Sequence, residues 1–301
     1  MKYISTVILV LFSMALWGQQ FSMPSQPNRN MVYVNPAFSG YLETSVASLS
    51  NRSSMLGFEG NFSFQNFEVH APLKKQSVAI GLQALHQQIG SKSSSEVFFN
   101  YAFRIVFENS KLVFALKLGA VSTTYGDISL RDDNVDPNFL SNNFVLPNVG
   151  CGIAYYKNNF YVGAGIPYLF AINSNTSGNA EISAPDIKNL NYMLNAGAAI
   201  PLNNNLRLEP HGILVYYLTM SPDYVGVLNL NVGNKIVFGG GYRSDESVLA
   251  NLGYFISNQF SLQYSYNYNL GRTETLLKGD HELGLLLYFG YKIKTVSPRN
   301  F

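Results

Sequence analysis

"NVGCGIAYYKNNFYVGAGIPYL" runs from Asn148 to Leu169 and decides how the rest of the chain is read. Val149, Cys151, Ile153 and Tyr155 share one parity, and Asn148, Gly150, Gly152 and Ala154 share the other. After Lys157, Asn158 and Asn159 the alternation restarts, with Phe160, Val162, Ala164 and Ile166 against Tyr161, Gly163 and Gly165. Period two on both sides of a short polar turn predicts a β-hairpin. One face is apolar. The other carries glycine, alanine and asparagine, too small or polar for half of a soluble sandwich core. A wall with lipid on one side and a polar lumen on the other asks for that pattern.

Composition points the same way. Charged residues make up 13% of the 301 residues, about half the usual ~25%. Aromatics reach 14%, with 20 Tyr and 21 Phe but one Trp. Mean hydropathy is +0.04, and no stretch beyond the amino-terminal region has 18 consecutive apolar residues, so helical spans are not expected. Sparse charge, many aromatics and alternation predict an all-β, antiparallel transmembrane barrel of the outer-membrane type.

The chain opens with a charged Met1-Lys2-Tyr3, a short apolar run from Ile4 to Leu16, and then Trp17-Gly18. Residues 1–18 read as a secretory signal peptide, cut after Gly18 or Gln19. Cys151, the one cysteine, sits inside the hairpin, so neither lipidation at a cleavage site nor an internal disulfide is expected. Without Lys2 the charge is 19 − 18 = +1, which suggests no nucleic-acid partner. Residues 19–42 are rich in Pro, Asn, Ser and Gln and read as an irregular periplasmic arm or plug, able to reach ~80 Å if extended. Residues 43–301 read as the barrel.

Fourteen alternating segments fall near 43–50, 61–70, 77–88, 94–107, 111–124, 148–156, 160–166, 191–200, 206–218, 224–231, 236–242, 248–256, 260–268 and 281–292. About fourteen strands follow, with twelve or sixteen as neighbouring counts. Phe62 and Phe64 followed by Phe67 and Val69 switch parity, which suggests a bulge. Pro210 interrupts another segment, where a central strand tolerates it poorly. The connections sort by length. Ala71–Gln76, Glu108–Ser110, Lys157–Asn159, Pro201–Asn205, Val232–Lys235 and Ser257–Gln259 are short and would be periplasmic. Asn51–Gly60, Tyr125–Pro147, Pro167–Leu190 and Asn269–Asp280 would be external. An even count places both termini in the periplasm.

The inward parity carries Glu96, Arg104, Lys117, Arg207, Glu209 and Glu282, with Arg243 at the rim. Opposite charges facing the lumen can pair and fill it, whereas one facing lipid near midplane costs ~2–4 kcal/mol. With Phe98 and Tyr288 also inward, an obstructed lumen is expected; a selective pore lining is the alternative. Catalytic chemistry is not visible. His70, His86, His211 and His281 form no metal motif, and no nucleophile elbow occurs. Asp132-Asp133-Asn134-Val135-Asp136 imitates a calcium loop, but Pro137 stands where glycine is needed and Asn143 where a bidentate Glu is needed. Neither an enzyme, a cofactor nor a metal is expected.

Asn35-Pro36-Ala37-Phe38-Ser39-Gly40 resembles the N-P-A-[YF]-x-G opening of the PorP/SprF family of type IX secretion-associated outer-membrane proteins of Bacteroidota. The likeness continues through Gly57-Phe58-Glu59-Gly60, His70-Ala71-Pro72-Leu73-Lys74, Gly81-Leu82, Gln88-Ile89-Gly90 and Pro147-Asn148-Val149-Gly150. The opening hairpin is similar to the family's G-x-x-Y-Y-x(3)-F-Y-V-G segment. Gly239 to Asp245, Tyr264-Ser265-Tyr266, His281-Glu282 and the tail from Ser297 to Phe301 complete it. Two departures stand out. Arg52-Ser53-Ser54-Met55 replaces an R-x-Q-W run, and Ala164 replaces a common serine. The resemblance implies a non-enzymatic barrel that supports export and surface retention of a secreted partner, such as an adhesin, by binding its type IX C-terminal domain. Other secretion or gliding components are further implied partners. A porin or hydrophobic-solute transporter is the competing function for such a barrel. The partner site is expected on the two longest external loops, with Phe139, Leu140, Phe144, Tyr168 and Phe170 as apolar anchors and Asp132, Asp133 and Asp136 steering a basic surface.

Overall fold

The computed structural model describes residues 23–54, 62–73, 77–125, 142–174, 180–183, 187–270 and 279–289. An amino-terminal arm holds a short helix α1 (Met31–Val34) and a 3₁₀ turn (Pro36–Phe38). Seventeen strand segments follow among the described residues. The first seven are β1 (Ser45–Ser54), β2 (Phe62–Pro72), β3 (Val78–Ile89), β4 (Lys92–Val106), β5 (Ser110–Tyr125), β6 (Asn142–Lys157) and β7 (Phe160–Ile166). A small separate hairpin pairs β8 (Ala171–Ser174) with β9 (Ala180–Ser183). Then come β10 (Tyr192–Ala198), β11 (Ile200–Pro201), β12 (Leu206–Tyr216), β13 (Asp223–Val232), β14 (Ile236–Arg243), β15 (Ser247–Phe255), β16 (Phe260–Asn269) and β17 (Asp280–Phe289).

Each wall strand pairs antiparallel with its neighbours in sequence. β1 pairs with β17, from Ser45↔Phe289 to Ser54↔Asp280, and this closes the barrel. β10 and β11 keep one register against β12, with Gly197↔His211 and then Ile200↔Leu208. They are therefore one strand interrupted at Ala199, and the wall has fourteen strands. The interruption explains Pro210. It faces the gap between β10 and β11 while pairing with Leu228 on the other side, so its missing N–H falls where the ladder is already broken.

Parity sorts the faces as lipid and lumen require. Leu116, Leu118, Val162, Leu228 and Leu252 point outward and are about half exposed, while Asn66, Asn100, Asn229 and Ser265 point inward and are buried. The two-residue turn between β6 and β7 places Asn158 at φ +50°, which asparagine tolerates.

Three expectations are corrected. The bulge near Phe64 is absent, because β2 keeps an unbroken register with both β1 and β3. Phe64 breaks the outward pattern because it faces inward and packs on the arm, its ring 5.2 Å from that of Tyr33. β1 runs on through Arg52, so that residue belongs to the wall and not to an external loop. β6 begins at Asn142, so the loop expected over Tyr125–Pro147 is reduced to residues 126–141. Pro147 fits inside β6 because it shares parity with Val149, whose carbonyl turns toward the β7 side. β7 reaches only as far as Cys151, leaving no strand there to receive an N–H from residue 147.

At one end of the barrel the connections are all short: residues 73–77, 107–109, 158–159, 202–205, 233–235 and 256–259. The other end carries 55–61, 126–141, 167–191 and 270–279, together with the shorter 90–91, 217–222 and 244–246. These are called the turn end and the loop end below.

Candidate functional site

The lumen is occupied by the chain's own arm. From Met23 to Gly40 nearly every residue is buried among inward-facing strand side chains. Such a segment must satisfy its polar backbone inside the barrel, and the wall's charged and amide groups do so. Glu282 accepts from the Ser25 amide at 2.7 Å and from Asn30 Nδ2 at 3.2 Å. Glu68 accepts from the Tyr33 amide at 2.7 Å. His70 Nδ1 meets the Gly40 amide at 3.0 Å, and Arg104 donates to the Gly40 carbonyl at 2.9 Å. Ser50 and Asn66 both donate to Asn30 Oδ1.

The two ends of the arm are held by charged side chains of the wall. At the turn end Glu43 accepts from Arg104 at 2.6 Å and pairs with Lys111. At the loop end Arg52 donates to the Met23 carbonyl at 2.6 Å and Arg243 to the same oxygen at 3.2 Å. Both arginines share Asp280, Arg52 directly and Arg243 at 3.7 Å, and Arg243 also pairs with Asp245 at 3.1 Å. Arg29 also reaches the turn end of the wall, bonding Tyr288 Oη at 3.2 Å and lying over the Phe255 ring.

The row of glycines in the opening hairpin now has a purpose. Asn35 caps the 3₁₀ turn, accepting the Ala37 amide at 2.9 Å. Its amide nitrogen donates to the Ile153 carbonyl at 3.1 Å and the Ala164 carbonyl at 3.2 Å, one from each strand of the hairpin. A Cβ at Gly152 would sit 2.1 Å from Asn35 Oδ1, and one at Gly163 would lie 2.8 Å from Asn35 Nδ2 and 3.1 Å from the Phe38 ring. Phe38 fills the neighbouring space, edge-on to Tyr156 and Tyr161 with ring centroids at 5.3 and 5.1 Å. Tyr156 Oη donates to the Ala37 carbonyl. Pro36 opens the turn, where its missing N–H costs nothing. Gly40 takes φ +74° with Ala79 where its Cβ would be, so only glycine fits. Asn35, Pro36, Ala37, Phe38 and Gly40 thus act together as a seat for the arm. Gly57, Phe58, Glu59 and Gly60 lie outside the described residues.

The inward charges are distributed as follows. Arg104, Arg243 and Glu282 grip the arm as described. Arg207 and Glu209 pair with each other at 2.7 Å, and Asn231 also donates to Glu209. Glu96 accepts from Tyr168 Oη at 2.6 Å. Lys117 is fully buried, its ammonium 4.0 Å from the Phe98 ring centre and 4.8 Å from that of Tyr168, with no hydrogen-bond partner for Nζ. Sequence reading missed Glu68, Arg52, Asp280 and Glu43. The assumed bulge obscured the inward parity shared by Asn66, Glu68 and His70, and the misplaced loop removed Arg52 from the wall.

The residues expected to contact a partner are mostly outside the described region: Asp132, Asp133, Asp136, Phe139 and Leu140 all fall in 126–141. Phe144 lies on β6, paired with Thr123. Tyr168 is corrected. Its ring turns into the lumen against Phe98 and Lys117 and is not an external anchor. Phe170 is half-buried, and its carbonyl accepts from Asn148 at 2.9 Å. Among the described residues no three His, Cys, Asp or Glu side chains cluster as a metal site.

A family profile described as "Type IX secretion system membrane protein PorP/SprF" matches residues 18–287. No curated protein matches the chain in sequence. Among solved structures, the CymD monoaromatic hydrocarbon channel aligns over 91% of this chain and 95% of its own, at 11% identity and a TM-score of 0.55. The Ralstonia pickettii toluene transporter TbuX aligns over 86% of this chain and 92% of its own, at 13% identity and a TM-score of 0.51. At such identities the likeness is one of fold, that of an outer-membrane barrel.

Proposed function

The chain belongs to the PorP/SprF family of type IX secretion system membrane proteins, and from that premise we propose that it is a closed outer-membrane companion that engages a secreted partner at its loop end. The partner is a protein exported by the type IX pathway, held at the cell surface through its C-terminal domain. The observation that supports this most is the arm: it fills the lumen and is tied to the wall at both ends, by two arginines on the Met23 carbonyl and by the Arg104–Glu43 ion pair, which is poor design for a solute channel. With the interior committed to the chain itself, the connections at the loop end remain as working surface. Four of them are long in sequence, and long connections on a barrel scaffold commonly carry binding. In this reading the short connections and the carboxyl terminus face the periplasm.

The experiment replaces residues 126–141 with a short Gly/Ser turn. Barrel assembly is followed by heat-modifiable electrophoretic mobility, and partner binding by co-purification of a secreted protein from detergent extracts. Retained assembly with lost co-purification is expected. Retained assembly with unchanged co-purification removes this loop from the site, and residues 55–61 become the next to test. Steady large-pore conductance from the purified wild-type protein would favour the transporter function instead.

A further inference from the structure

The run Pro147-Asn148-Val149-Gly150 takes no part in seating the arm, and its geometry leaves a sheet edge open at the loop end. β6 pairs with β5 along its whole length, from Ser110↔Lys157 to Tyr125↔Asn142, but with β7 only from Cys151 onward. Residues 142–150 therefore stand beyond the end of β7. Two residues of the run turn the chain aside there. Gly150 lets it cross, since a Cβ at that position would lie 2.4 Å from the Pro167 carbonyl oxygen. The buried Asn148 side chain then holds it, accepting from the Phe170 amide at 3.3 Å and donating to the Phe170 carbonyl at 2.9 Å. Asn148 faces the lumen, and so does Tyr168, whose hydroxyl donates to Glu96 at 2.6 Å. The chain that would have lengthened β7 is thus drawn inward. Its last main-chain bond to the side of β6 is from the Leu169 amide to the Val149 carbonyl at 2.8 Å.

Main-chain groups alternate sides along a strand, so those of Pro147, Val145 and Asn143 point the same way as the Val149 carbonyl. Pro147 offers only its carbonyl, while Val145 and Asn143 offer a carbonyl and an N–H each. Among the described residues no strand pairs with that side. The edge stands above the hydrocarbon. Across the wall the outward residues in register with Val145 are Ser122, Ser95, His86 and Gln65, whereas those in register with Val149 are Leu118, Phe99, Leu82 and Val69. Val145 itself is 66% exposed. An open edge in water is a template for another strand, and its alternating donors and acceptors fit an extended polypeptide backbone. The polar row beside it carries no cation to hold a lipid phosphate. We infer that residues 143–147 of β6 bind an extended segment of the exported partner by strand addition, in the place that a longer β7 would take. Pro147 marks the inner end of the site, because the added strand finds no donor there and Leu169 occupies the next position. The identity of the occupant rests on the proposed function; the open edge does not.

The test compares Val145→Pro with Val145→Thr. Proline removes the edge N–H and is tolerated on an open edge, as Pro147 is, but not in a strand paired on both sides. Threonine keeps the N–H. Assembly is followed by heat-modifiable mobility and the partner by the amount of secreted protein that co-purifies. The edge itself is followed by hydrogen exchange at the Val145 amide, in wild-type protein with and without that secreted protein. Alone, the Val145 amide should exchange roughly a hundredfold faster than that of Leu146, whose N–H lies in the β5 ladder, and the complex should slow it at least about tenfold. Val145→Pro should assemble and retain roughly a tenth of the partner, with Val145→Thr like wild type. A Val145 amide already protected in the protein alone, or unchanged in the complex, overturns the inference, as does full co-purification with Val145→Pro. A dimer of the purified protein that Val145→Pro dissociates would make a second copy the occupant and also overturn it. Should Val145→Pro fail to assemble, the exchange comparison decides alone. Loss of the partner on replacing 126–141 but not in Val145→Pro removes strand addition and leaves the proposed function standing. No secreted protein on the wild type removes both.

Discussion

Asparagine 35 offers the sharpest test of how the arm is seated. In Asn35→Asp the carboxylate keeps the cap on the Ala37 amide but loses the N–H that meets the Ile153 and Ala164 carbonyls. It also points a charge at Asn195 Oδ1, which now lies 3.4 Å from the amide nitrogen. Two lost hydrogen bonds account for about 1–3 kcal/mol, and acceptors facing acceptors in a buried site add to that. A total of about 3 kcal/mol moves the docked–undocked equilibrium of the arm roughly a hundredfold. The wall itself should be indifferent, because its ladders close without the arm. Hydrogen exchange on purified protein reads this directly, since local openings are reported amide by amide. The Tyr33, Ala37, Phe38 and Gly40 amides should exchange roughly a hundredfold faster, while those of β4 and β5 stay unchanged. Asn35→Ala, which loses the cap and both amide hydrogen bonds but points no charge at Asn195, should fall between wild type and Asp. Protection of the arm unchanged in Asn35→Asp would refute the seat, and equal loss in β4 and β5 would mean that arm and wall unfold together.

The hairpin glycines should be as sensitive from the other side. Gly152→Val places its Cβ 2.1 Å from Asn35 Oδ1 and should expel the arm from a barrel that still assembles, seen as new protease sensitivity within residues 23–42. On the lipid face, Val162→Arg should cost ~2–4 kcal/mol and reduce the folded, heat-modifiable fraction, whereas Val162→Leu should not. Lys117→Met should leave the thermal midpoint equal or higher, because the buried ammonium has no hydrogen-bond partner and Met keeps the contact with Phe98 and Tyr168. A clear drop would show that the charge contributes more than its ring contacts.

Much of the wall was legible because it is governed by a local rule. Alternation of period two fixes which side chain faces lipid and which faces the lumen, so Val162 and Gly163 could be assigned from their neighbours alone. Turn residues such as Asn158 marked the reversals, and the strand count followed. The errors came where a single residue answered to a distant partner. Phe64 looked like a register slip because the ring it packs on, Tyr33, belongs to a segment with no periodicity. Arg52 and Tyr168 looked like loop residues, yet one holds the Met23 carbonyl and the other Glu96. The arm is the clearest case. Its composition showed only that it would form no regular element, because its order comes from contacts such as Asn35 to Ile153 and Ala164, 118 and 129 positions away. Short-range pattern determined the barrel; its closure, the seat made by the glycines and the points at which the arm is tied inside it were decided only when distant segments were brought together.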